Sequence, residues 1–200
     1  MKAIAVLGIL VIVALAAVYL VFSKPAYPMT KEDAQKFFIE DLADKYPDAD
    51  VREVVEILPA TAQDGASYYQ LKARVTKGLS TPCPERMHVF YDYPPKNFVA
   101  QPPEYITRGC EVCLNEPNCI LAFPEEAIIA SHTYPGTEEI AQFIKSNTDA
   151  QASAELRDSY MNYTGVWVVT WRSPSLKATA SAVLSKSSNQ AIEVVLCREI

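Results

Sequence analysis

Cysteines are the residues of this chain best placed to do chemistry. Four share one stretch, Cys83 and then Cys110, Cys113 and Cys119, while Cys197 stands near the C-terminal end. Their spacing admits three chemistries. As two disulfides, Cys83, Cys110, Cys113 and Cys119 would tighten a proline-rich excursion by restricting its unfolded ensemble. Cys197 then stays a free thiol in a terminal strand, where it behaves as a small hydrophobe. As thiolates, the same four could ligate zinc, because Cys110-x-x-Cys113 lets two sulfurs reach one ion; Cys119 does not complete a second such knuckle. As a redox pair, Cys110 and Cys113 need a helix start to lower the first thiol's pKa, and Glu111 between them opposes thiolate formation. Disulfides suit an exported domain. Zinc is the alternative, and no other cofactor is implied.

The remaining reactive side chains form no recognisable constellation. His88 lies in antiphase to Met87, Val89 and Tyr91, while His132 falls in a loop between two helical stretches. There is no G-x-S-x-G elbow, H-E-x-x-H pair, P-loop or G-x-G-x-x-G. Glu125-Glu126 and Glu138-Glu139 sit in first helical turns, where carboxylates complement the positive end of the helix dipole. That role is structural, and the expectation is that the protein is not an enzyme. Among eleven tyrosines, Tyr91, Tyr93 and Tyr105 join Trp167 and Trp171 as candidate contact residues, since amphipathic aromatics favour interfaces. The chain carries 24 acidic and 18 basic residues, a net charge of −6. This balance argues against nucleic acid and against anionic lipid surfaces as partners.

The elements that must position these residues can be read from periodicity. Thr30-Lys31-Glu32-Asp33 opens a helix over 29–46 in near capping-box fashion. Ala34, Phe37, Phe38, Leu42 and Tyr46 share one face, and Pro47 stops it. Strand-like runs follow at 51–58, 68–75 and 86–93. In the second run Tyr69, Leu71, Ala73 and Val75 alternate with Gln70, Lys72 and Arg74, the period of a sheet with one wet face. The same grammar returns after residue 135: a short helix carrying Ile140, Phe143 and Ile144, then strands at 154–160, 165–172, 176–185 and 191–197. The halves align locally, Glu32–Phe38 with Glu138–Ile144 and Tyr69, Leu71, Ala73 with Trp167, Val169, Trp171. A duplicated helix-then-meander unit is expected.

An apolar leader followed by two such units, the second carrying Gly165-Val166-Trp167-Val168-Val169-Thr170-Trp171, resembles membrane-anchored proteins with tandem PepSY-like or cystatin-like domains. The resemblance covers 29–93 and 136–198. It implies a helix packed across a curved antiparallel sheet, and action by binding other proteins, protease inhibition among them. The chain departs from the pattern: its last hairpin lacks a D-x-x-T-G-like turn, the Q-x-V-x-G loop is absent, and a cysteine-bearing insert separates the units.

Residues 3–22, AIAVLGILVIVALAAVYLVF, hold no charge. As a helix they would be about 30 Å long, the thickness of a hydrocarbon core. No A-x-A-like site follows, so an uncleaved signal anchor is expected rather than a removed signal. Lys24, Lys31 and Lys36 would hold the domain in the cytoplasm on a strict positive-inside count. The cysteine usage and the Asn162-Tyr163-Thr164 sequon favour the outside. The fold expected is α+β: a transmembrane anchor (1–23), a first helix-plus-sheet unit (29–93), a Cys/Pro-rich insert (94–135) and a second unit (136–200). The work expected is non-covalent, the binding and modulation of another envelope protein or peptide from the extracytoplasmic side of the cell membrane. A thiol or zinc protein built on the four clustered cysteines is the alternative.

Overall fold

A computed structural model of the chain describes residues 30–63, 65–93, 101–112, 120–187 and 191–198. Helix α1 spans Lys31–Lys45. Strands β1 (Val51–Thr61), β2 (Ser67–Lys77), β3 (Glu85–Tyr93) and β4 (Glu104–Thr107) follow it. Helices α2 (Pro124–Thr133) and α3 (Glu138–Ser146) precede β5 (Gln151–Tyr160), β6 (Tyr163–Ser173), β7 (Ala178–Ser185) and β8 (Ala191–Arg198). The strands form two four-stranded antiparallel sheets, each a meander in chain order.

Local chemistry sets the first unit. The Thr30 hydroxyl accepts the Asp33 amide at 3.1 Å, and Asp33 returns a bond from the Thr30 amide, closing the capping box. Pro47 then excludes a helical conformation at Tyr46. Ala34, Phe38 and Leu42 of α1 bury against Leu71, Ala73 and Val75 of β2 and Met87 and Val89 of β3. The registers Leu71↔Tyr91, Ala73↔Val89 and Val75↔Met87 place these side chains on one face. The opposite face carries Lys72, Arg74, Arg86 and His88.

In the second unit Trp167, Val169 and Trp171 of β6 and Ala180, Ala182 and Leu184 of β7 pack with Leu121, Ala127, Ile128, Ala130 and Ile140. Both indoles bury their rings and still find acceptors: Trp167 Nε1 donates to Leu121 O at 2.8 Å, and Trp171 Nε1 to Ser131 Oγ at 2.9 Å. Tyr160 of edge strand β5 donates to Glu193 of the opposite edge strand β8. Two strands lie between them, so that end of the sheet is strongly curled.

The expected α+β class with an N-terminal transmembrane helix is corrected by this architecture. The described chain is mostly β, eight strands against three short helices, and among the described residues no helix is long and apolar enough to cross a membrane. The physical reason is that the strands run longer than their apolar cores suggest. β5 begins at Gln151, and its exposed residues carry little hydrophobic signal. The apolar run 3–22, on which the expected anchor rests, lies outside the described residues. The described residues of segment 94–135 divide between the units: β4 extends the first sheet beside β3, and α2 packs on the second.

Candidate functional site

α2 is the element that joins the two sheets. Its residues Glu125–Ser131 are all buried, which an amphipathic surface helix would not allow. The reason is that both of its sides have partners. Ile128 and Ala130 face the tryptophan core, while its first turn enters the charged face of the first sheet.

There Glu125, 0 % exposed, accepts from Arg74 Nη2 at 2.7 Å and Nε at 3.2 Å, and from the Thr76 hydroxyl. Glu126 pairs with Arg86, and its second oxygen accepts the amides of Ala122 (2.6 Å) and Phe123 (3.1 Å). The carboxylate thereby caps its own helix while neutralising a buried guanidinium. The Phe123 ring lies 4.6 Å from the Arg74 guanidinium and 4.1 Å from that of Arg86. Burial pulls the Arg86 guanidinium below its ordinary value, against the opposing pull of Glu126 and Glu125. The far end of α2 is held as well, since His132 Nε2 meets the Pro82 carbonyl at 2.8 Å. Burial lowers the His132 pKa, with that carbonyl opposing the shift. Pro82 adjoins Cys83, which is joined in a disulfide to Cys110 beyond β4. Cys110 is left-handed, with φ 62°, a conformation that non-glycine residues adopt at a cost.

A groove opens beside this seam. It measures about 360 Å³ and is lined by Leu79, Pro124, Ile128, Ala152 and Ala154, with Asp50, Ser80 and Ser153 at its polar margin. Its long wall is β5, an edge strand: β6 takes one side, and among the described residues no strand takes the other. The registers Ala152↔Trp171, Ala154↔Val169 and Leu156↔Trp167 put the three even-numbered side chains on the core face. Two of them are alanines, so the groove is the space that larger side chains would fill. Leu156 continues the line and is 46 % exposed.

The outward backbone direction is fixed by one bond. Ala152 N donates to Ser80 O at 2.9 Å, across to the first unit. Strand alternation then sends the N–H and C=O groups of Ala154, Leu156 and Asp158 the same way. Beyond Ala152, β5 therefore has a hydrogen-bonding edge that no strand among the described residues covers, with an apolar slot beneath it. A second cavity, about 450 Å³, lies between α2 and α3 and is lined by His132, Tyr134, Thr137, Glu138 and Lys145 among others. Polar groups there serve the turn itself: Glu138 accepts the Gly136 amide, and the Thr137 hydroxyl donates to Tyr134 O.

The candidate residues read from sequence are dispersed. Cys83 and Cys110 form the disulfide, so neither is a thiolate for zinc; Cys113 and Cys119 lie outside the described residues, and Cys197 is a free, exposed cysteine. Among the described residues no cluster of metal-ligating side chains occurs. Tyr91 and Tyr93 pack on α1 against Phe38 and Phe37. Tyr105 is exposed beneath Arg108. Trp167 and Trp171 are core residues. His88 turns from the Met87–Val89 face to Glu104 of β4, 3.6 Å away. His132 sits in the last turn of α2 rather than in a loop.

Sequence reading missed the groove because alanines give no binding signal. It also missed the partners of Glu125 and Glu126, although Arg74 and Arg86 stood in antiphase to the core residues of their strands.

No family model, curated protein or solved structure matches this chain. The geometry alone carries the functional reading.

Proposed function

We propose that the protein is a binding module held at a membrane by residues 3–22, on the extracytoplasmic side, and that it engages an extended segment of another envelope protein or peptide. The segment adds to the open edge of β5 and lays alternate side chains in the slot between β5 and α2. The observation that carries this reading is the coincidence, along one strand, of outward backbone groups at Ala154, Leu156 and Asp158 with an apolar groove beneath. Main-chain bonds of this kind supply affinity, and pockets for alternate side chains supply selectivity. The groove lies at the lower end of the roughly 300–1,000 Å³ range of small-ligand sites. The Cys83–Cys110 disulfide supports the extracytoplasmic placement, because such bonds persist in oxidising compartments. Binding without catalysis is supported by the commitments of the buried ionisable groups: Glu125 and Glu126 are held by arginines, and His132 by a carbonyl.

The test is a substitution that removes one outward donor while leaving the hydrogen bonds between β5 and β6 in place. Proline is tolerated on an edge strand where its missing N–H would face away from the neighbouring strand. Ala154→Pro in the full chain in detergent should therefore keep the fold, shown by circular dichroism. It should also abolish anisotropy-detected binding of a fluorescein-labelled peptide that alternates valine or leucine with serine. Equal binding by the variant and the parent would refute strand addition at β5, as would no binding to the parent at about 1 mM peptide, the weakest range worth calling specific.

A further inference from the structure

We infer that the segment accepted by the β5 groove carries a lysine or arginine at the end that lies beside Ala152, where Asp50 receives it. This rests on the strand-addition reading and sharpens it to a partner chemistry, an extended stretch apolar at every second position and basic at one end.

Among the described residues lining the groove Asp50 is the single charged one, and its place there is built rather than incidental. Asp50 N donates to Thr76 O at 2.9 Å, which ties the residue to the end of β2. Its Oδ2 accepts the Leu79 amide at 2.8 Å. Leu79 is itself a lining residue, and the next residue, Ser80, supplies the carbonyl bonded to Ala152 N. One carboxylate is thus oriented at the Ala152 end of the slot by the turn that closes that end.

The buried cations of the neighbouring seam are already committed. Arg74 is shared between Glu125 and Glu53, and Arg86 is taken by Glu126. Among its described lining residues the groove presents an apolar floor with negative charge at one end only. An acidic residue arriving there meets repulsion, a neutral one leaves the carboxylate to water, and a basic one is attracted. Every strand pair in both sheets is antiparallel, and antiparallel pairing is slightly the more stable per residue. Added in that sense to β5, the segment brings its C-terminal end to Ala152, and the basic residue belongs there.

The probes are three amidated, fluorescein-labelled peptides that alternate valine or leucine with serine and end in lysine, glutamine or glutamate. They are titrated against the full chain in detergent and against Asp50→Asn, which keeps an oxygen to accept the Leu79 amide. The lysine peptide should bind the parent about two- to fivefold more tightly than the glutamine one, as a solvent-screened ion pair allows. The glutamate peptide should bind more weakly than either. In Asp50→Asn the three affinities should converge, and in the parent the spread should shrink at high salt. Tight binding of all three with no difference in the parent, or a difference that survives Asp50→Asn, overturns the assignment of charge while leaving strand addition standing. Failure of all three to bind the parent brings down strand addition itself and this inference with it.

Discussion

The two sheets share strand number, order and pairing sense, yet they fill their cores from opposite directions. In the first unit the bulk comes from the helix: Phe38 and Leu42 of α1 press onto a second strand that contributes Ala73 at its centre. In the second unit the largest side chains come from the strand, Trp167 and Trp171 of β6, which share their core with Ala127 and Ala130 of α2. Large faces small in both cases, which keeps native density without strain. The difference teaches why α2 can serve two sheets. Small residues let it sit close over the tryptophans, so its acidic first turn stays within reach of Arg74 and Arg86 on the neighbouring unit. The first unit has a further tie that the second lacks among the described residues, a covalent one between Cys83 and Cys110.

The sharpest way to break this arrangement is to remove the charge that α2 buries in the first unit. Glu125→Ala should cost about 3–5 kcal/mol, the range seen when one partner of a buried ion pair is deleted and the other is stranded. Residual pairing of Arg74 with the exposed Glu53 places the expected loss toward the lower end. Urea unfolding would read this as a lowered midpoint with an unchanged slope. Glu138→Ala, at the exposed first turn of α3, is the matched control and should leave the midpoint almost where it was. Equal losses from the two would show that the seam contributes no more than a helix cap.

Removing the covalent tie should come next. Cys83→Ser with Cys110→Ser should lower stability by about 2–5 kcal/mol. Because Pro82 holds His132, hydrogen exchange in the last turn of α2 should quicken as well. A change confined to β3 and β4 would separate the disulfide from α2.

The smallest effect is that of pH, and its sign is fixed by the histidines. Burial lowers the pKa of His132, and that of His88 is lowered first by burial and then by Lys72 and Arg86. The unfolded chain binds protons as pH falls through the ordinary 6.5, while the folded chain resists them. Their contribution is therefore fully present above that value and is lost as pH drops below it. Chemical unfolding at pH 7.5 and pH 5.5 should show the decline, and His132→Gln should flatten part of it. A slope unchanged by that substitution would assign the acid sensitivity to other groups.

Much of the framework was legible in the residues. The capping box at Thr30, the stop at Pro47 and the strict alternation of β2 are local signals, and they placed α1, β2 and β3 within a few positions. The local match of Tyr69, Leu71 and Ala73 with Trp167, Val169 and Trp171 anticipated two second strands that each turn these residues to a helix. Illegible were β4, only four residues long, and the groove beside β5, whose long wall is two alanines and a backbone edge. Hydropathy registers what a side chain adds, and an open edge is defined by what no strand covers.

By itself, then, the sequence determined the placement of α1, β2 and β3 to within a few positions and which face of β2 is apolar, because capping, proline stops and period-two alternation act over a few residues. Only the tertiary structure decided that Glu125 and Glu126 answer Arg74 and Arg86, that Cys83 takes Cys110, and that no strand among the described residues covers the outer edge of β5. Each of those depends on residues far apart in the chain being brought together, and local periodicity holds no information about which distant partner arrives.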